Sequence, residues 1–94
     1  MAGSWRGKKP LQRNAIIALA NYREKSAIPK LLQVIETDPR PMIRGTAAWA
    51  IAKITEESPN QELILFLEEM REKEDETETI AEFNKALNIL RTNM

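Results

Sequence analysis

The run Pro41-Met42-Ile43-Arg44-Gly45-Thr46-Ala47-Ala48-Trp49-Ala50-Ile51-Ala52 decides the fold. Proline opens it, and the first turn of a helix is where a missing N–H costs nothing. Met42, Ile43, Ala47, Ala50, Ile51 and Ile54 then recur at three- and four-residue steps, the period of one helix face. An earlier stretch has the same design: after Pro10 come Leu11, Ala15, Ile16, Ala18, Leu19 and Tyr22. Shifted by 31 residues, Pro10 falls on Pro41 and Arg13 on Arg44. Shifted by 32, Ala18-Leu19-Ala20 falls on Ala50-Ile51-Ala52, and Leu31-Leu32 on Leu63-Ile64. The chain repeats itself.

Between these runs Ser26 is placed to cap a second helix, with Ile28, Leu31, Leu32 and Ile35 inward. Ser58-Pro59-Asn60-Gln61 reads as a capping box with proline at the first helical position. It opens a fourth helix over Leu63, Ile64, Phe66, Leu67 and Met70. A fifth places Ile80, Phe83, Ala86, Leu87 and Leu90 on one face. The expected helices are 10–22, 27–36, 41–55, 59–72 and 77–92, in a single domain over 10–94 behind a basic lead-in over 1–9. Two helix pairs with a period near 32 residues predict an all-α fold, a HEAT-like α-solenoid fragment closed by a C-terminal capping helix.

Composition removes much chemistry. The 94 residues include no His and no Cys. The chain therefore offers no imidazole base, no thiol nucleophile, and no thiolate site for zinc or an iron–sulfur cluster. No apolar run approaches the roughly 18 residues of a membrane span, so no membrane partner is expected. A chain without disulfides fits a cytoplasmic setting. The acids Glu68, Glu69, Glu72, Glu74, Asp75, Glu76 and Glu78 lack the spacing of a calcium loop and read as a solvated face.

The formal net charge of zero hides an asymmetry. Residues 1–55 carry ten basic side chains against three acidic ones, and the remainder reverses the imbalance. A basic half suggests an anionic partner, with nucleic acid foremost; a merely solvated surface is the alternative. The placement is specific. Helix N-termini favour acids, yet Lys8, Lys9 and Arg13 crowd the first helix start, and Arg40 and Arg44 crowd the third. In a solenoid these starts stack about 10 Å apart, and cations added to amide-rich termini suit phosphates.

Each residue also has a structural reading. Arg13 and Arg44 fit a ladder of arginines bonded to turn acids, with Asp38 the expected partner. Trp49 reads as core or an inter-repeat plug, and Asn14 as a polar contact or a plain surface residue. The lead-in Trp5-Arg6-Gly7-Lys8-Lys9 combines an aromatic ring with three cations, a mixture that contacts phosphates and stacks on bases. Read structurally, it is a linker.

The run from Ser4 to Asn21, with Trp5-Arg6-Gly7-Lys8-Lys9-Pro10-Leu11-Gln12-Arg13-Asn14 at its centre, resembles the C-terminal region of bacterial epoxyqueuosine reductases. So does Asp38-Pro39-Arg40-Pro41-Met42-Ile43-Arg44-Gly45-Thr46-Ala47-Ala48-Trp49-Ala50-Ile51. The likeness covers Ser4 to about Ile54, with Ala20 where that family often has Gly and Thr46 where it often has His. It implies a parent oxidoreductase that makes queuosine in tRNA with cobalamin and two [4Fe–4S] clusters, all held by domains upstream. This chain would then be a non-catalytic tail that helps hold the tRNA anticodon stem-loop. The implied RNA contacts are Trp5, Arg6, Lys8, Lys9, Arg13, Asn14, Arg40 and Arg44, with no catalytic residue and no metal ligand. Two rival readings remain. A protein-interaction scaffold would expose an apolar groove along the second and fourth helices, and an intramolecular lid would show a flat apolar patch.

Overall fold

The computed structural model describes residues 10–93, so the lead-in residues Trp5, Arg6, Lys8 and Lys9 lie outside the described part. Five helices follow in order: α1 (Arg13–Asn21), α2 (Ile28–Thr37), α3 (Pro41–Thr55), α4 (Gln61–Lys73) and α5 (Thr77–Thr92). A short 3-10 turn, Lys25–Ala27, leads into α2, and there is no strand among the described residues. The odd-numbered helices follow one another side by side, α1 on α3 and α3 on α5. Helix α2 rests on α3, and α4 on α5. Two pairs and a fifth helix standing where a third pair would begin make an α-solenoid fragment, as the repeat implies.

The hub is α3, and its composition explains why. Gly45, Thr46, Ala47, Ala48, Ala50, Ile51 and Ala52 are all buried, so the helix is enclosed on several sides by neighbours that its small residues allow close. At Gly45 the approach is tightest: a Cβ there would sit 3.1 Å from the Glu82 Cβ on α5. The hydroxyls buried in this layer are satisfied locally. Thr55 donates to the Ile51 carbonyl at 2.8 Å, and Thr79 of α5 donates to the Pro41 carbonyl at 2.9 Å, tying α5 to the start of α3. Around α3, Ile16, Leu31, Ile35, Leu67, Phe83, Leu87 and Leu90 are wholly enclosed. Each such side chain contributes about 1.5–3 kcal/mol by leaving water.

Several local expectations are corrected. Helix α1 begins at Arg13 rather than Pro10, with Gln12 at its cap in extended conformation, and the Leu11 carbonyl accepts from Arg40 Nη2 at 2.9 Å. Ser26 does not cap α2: Ala27 holds that position, and the Ser26 hydroxyl donates to Glu24. Helix α4 is capped by Asn60, whose side chain accepts from the Glu62 N–H at 2.7 Å, so Pro59 stands before the cap rather than inside the helix. Tyr22 and Met42, expected inward, are 82% and 65% exposed. Tyr22 falls past the end of α1, where the chain turns at Arg23 in the left-handed region (φ 51°). The Arg23 N–H bonds the Ala20 carbonyl and the Glu24 N–H the Leu19 carbonyl, closing the helix end. A non-glycine residue there costs about 1 kcal/mol. Its side chain offsets that cost by donating to the Lys53 carbonyl at 2.9 Å and pairing with Glu56 at 2.7 Å, which caps the C-terminus of α3.

Candidate nucleic-acid interface

The edge carrying the starts of α1 and α3 holds Arg13, Arg40 and Arg44, and their situations differ. Arg44 is committed. Its Nε and Nη2 donate to both oxygens of Glu74 at 2.9 and 2.8 Å, and its Nη1 donates to the Asp38 carbonyl at 2.8 Å. The Glu74 side chain is only 5% exposed and that of Arg44 20%. The fork of donors holds Glu74 below the usual carboxylate range and pushes the arginine further up.

Arg40, the residue before α3, is also engaged. Its Nε and Nη2 grip Asp38 at 2.9 and 2.8 Å, its N–H donates to the same carboxylate at 2.9 Å, and Nη2 reaches the Leu11 carbonyl. Bonding to Arg40 lowers Asp38. The ladder reading therefore fits Arg44, with a corrected partner: Asp38 spends its carboxylate on Arg40, and Glu74 serves Arg44. By spacing alone Glu74 reads as part of a solvated acidic face. The signal that finds it is position, since Glu74 follows α4 as Asp38 follows α2. The two acids also repeat one backbone role, each accepting the N–H two residues on, at Arg40 and at Glu76 (3.2 Å).

Arg13 and Asn14 stand in the first turn of α1, both exposed. Neither side chain has a hydrogen bond or ion pair among the described residues. Arg13 flanks an open groove of about 650 Å³ whose floor includes Ile17, Met42 and Trp49. Trp49 is half-buried against the core, so it is neither fully enclosed nor a free platform. The lining also includes Glu76, the cap of α5, with Glu78, Glu82 and Lys85 of that helix, the last two paired at 3.3 Å.

At the opposite edge Arg23 and Lys53 both pair with Glu56. Burial pushes that carboxyl up, and the bonds from Lys53 and Arg23 outweigh it, leaving it lowered. Of the basic half, four described cations are thus compensated internally, while Arg13, Lys25 and Lys30 have no described partner. The acidic half is partly structural as well: Glu68 pairs with Arg91, and Glu69 with Lys73.

The donor set does not fit the iron–sulfur clusters attached to the resemblance. Thiolate ligands for a cluster need cysteine, and the chain has none. No group of three or more Asp or Glu among the described residues is placed to hold a metal ion. No described helix is long and apolar enough to cross a membrane.

Comparison with known proteins adds three findings. Residues 7–88 match the family described as HEAT repeats. Over 90 residues the chain is 51% identical to the epoxyqueuosine reductase of Bacillus cereus, and over 91 residues it is 50% identical to that of Bacillus subtilis. These alignments cover 96% and 97% of this chain but 23% and 22% of the relatives, so the chain spans under a quarter of their length. A crystal structure of epoxyqueuosine reductase with a tRNA-Tyr epoxyqueuosine-modified tRNA stem loop superposes at a TM-score of 0.77. It is 49% identical and covers 95% of this chain and 23% of that one. Stacked helix pairs and a match over most of the length agree: the chain belongs to the HEAT-repeat family, and at about half identity it is similar to part of the epoxyqueuosine reductases named above.

Proposed function

We propose that this chain is the non-catalytic HEAT-repeat part of an epoxyqueuosine reductase-like enzyme and helps hold the anticodon stem-loop of tRNA. The observation that carries the reading is Arg13. It is exposed at the start of α1, where the first turn holds no acid, while Arg40 and Arg44 at the next start are bound to carboxylates. Four and five residues before it in sequence come Lys9 and Lys8, then Arg6 and Trp5. Cations at an exposed helix start suit a phosphate backbone, and an aromatic ring suits a base. The RNA-bound relative supports the same partner. Trp5, Arg6, Lys8, Lys9, Arg13 and Asn14 are the proposed contacts; Arg44 belongs to the frame that holds them. A scaffold with an apolar groove along α2 and α4 gains no support. The large exposed apolar residues among those described are Tyr22, Met42 and Leu65, of which only Leu65 lies on either helix.

The test is a fluorescence-anisotropy titration of labelled anticodon stem-loop RNA at two salt concentrations. Affinity should fall steeply with salt as counterions are released, and Lys8→Ala with Lys9→Ala should flatten that dependence by about two phosphate contacts. Binding indifferent to salt and to these lysines would overturn the reading.

A further inference from the structure

The starts of three helices line one groove of about 650 Å³: Arg13 from α1, Pro41 and Met42 from α3, Glu76 and Glu78 from α5. Charge changes sign along this row. Arg13 is exposed, with no acid in its first turn and no partner among the described residues. At the start of α3, Arg40 and Arg44 are neutralised by Asp38 and Glu74. At the start of α5, Glu76 and Glu78 are exposed, and neither carboxylate has a hydrogen bond or ion pair among the described residues. Glu82, one turn on, is spent on Lys85 at 3.3 Å. Between the two charged helices stands Met42, 65% exposed. We propose that Glu76 and Glu78 are a negative boundary to the RNA-facing edge, confining a phosphate chain held at Arg13 to the α1 side of the groove. The inference rests on the RNA-binding reading, through Arg13, and adds a specificity role to it.

Screening makes such a boundary local. Packed helices stand about 8–10 Å apart, so α1 and α5, with α3 between them, are separated by roughly twice that. At physiological salt charges act over about 8 Å. A phosphate at Arg13 therefore feels little from α5, whereas one crossing over Met42 meets two carboxylates. The competing explanation is that these acids only complement the N-terminal dipole of α5, as Glu62 does at the start of α4. That role concerns the helix and leaves the path of an RNA untouched.

The experiment titrates stem-loop RNA, at physiological salt, into the full chain and into a double variant, Glu76→Gln with Glu78→Gln. A control pair, Glu36→Gln with Glu62→Gln, removes as much charge from exposed sites that do not line the groove. Melting by circular dichroism checks that each variant is folded. The Met42 methyl resonance, assigned by its loss in Met42→Leu, is followed by NMR. The boundary predicts that RNA leaves this resonance in place in the wild type and in the control. In the double variant it shifts, and affinity rises about threefold, more than in the control. Glu78→Gln alone, which keeps the Glu76 charge near Arg44, should give both changes at smaller size. A Met42 resonance that moves with RNA in the wild type, one that stays in place in the double variant, or equal gains from the two pairs would overturn the boundary. A wild-type chain without salt-sensitive affinity for this RNA would instead sink the functional reading on which the boundary stands.

Discussion

The starts of α1 and α3 share the spacing Pro-x-x-Arg, yet Arg13 is open and Arg44 is closed inside a bidentate pair. The residue at the helix cap one step on differs between the two turns. At the first turn that residue is Arg40, and it takes the carboxylate of Asp38. At the second turn the corresponding cap is Glu76, an acid that leaves the Glu74 carboxylate for Arg44. One repeated motif thus yields a frame residue at the start of α3 and, at the start of α1, a cation with no partner among the described residues.

The largest expected effect comes from breaking the closed copy. Glu74→Ala strands the Arg44 guanidinium, with little access to water, and should lower stability by about 2–3 kcal/mol. For a domain of this size that moves Tm by roughly 10 °C or more, and thermal melting would show it. An unchanged Tm would mean the pair contributes nothing.

Acid should act on the same groups. Glu74, Asp38 and Glu56 sit below their ordinary values when folded, so each binds protons more readily in the unfolded chain. Their stabilisation is present above about pH 4–5 and is lost as pH falls through the folded values. Urea unfolding should be nearly constant from about pH 7 to 5 and weaken below about pH 4, with a shallower acid limb in Glu74→Ala. Parallel limbs would deny Glu74 its part.

The finest test rewrites the cap. Glu76→Arg makes the second turn resemble the first, so the new cation should compete for Glu74 and loosen Arg44. A loss of about 1 kcal/mol by the same unfolding measurement is expected, and a gain would contradict the competition.

Much of this was legible in the residues. Spacing alone places five helices, because apolar residues at three- and four-residue steps survive in every one. Alanines and Gly45 foretell that α3 will be approached closely, as burial of that whole face shows. Cap positions were less legible. Ser26 and Pro59 are good formers of helix starts, but the neighbouring Ala27 and Asn60 take the roles once the tertiary path of the chain is fixed. Arg23 was invisible as a capping group since its partners, Lys53 and Glu56, are 30 and more residues away. The candidate site was half legible: charge located the edge, whereas the division between Arg13 and Arg44 depends on which carboxylate folds against which arginine. No one-dimensional pattern carries that.

The account stands on Arg13 and Arg44 having separate work. Measuring stem-loop RNA affinity and Tm side by side for Arg13→Ala and Arg44→Ala tests it most directly. Arg13→Ala should weaken low-salt binding by roughly threefold or more, as one lost phosphate contact does, at unchanged Tm. Arg44→Ala should lower Tm while the salt dependence of binding by the folded protein stays as in the wild type. Full RNA affinity without Arg13, or a flattened salt dependence without Arg44 at an undisturbed Tm, would contradict it.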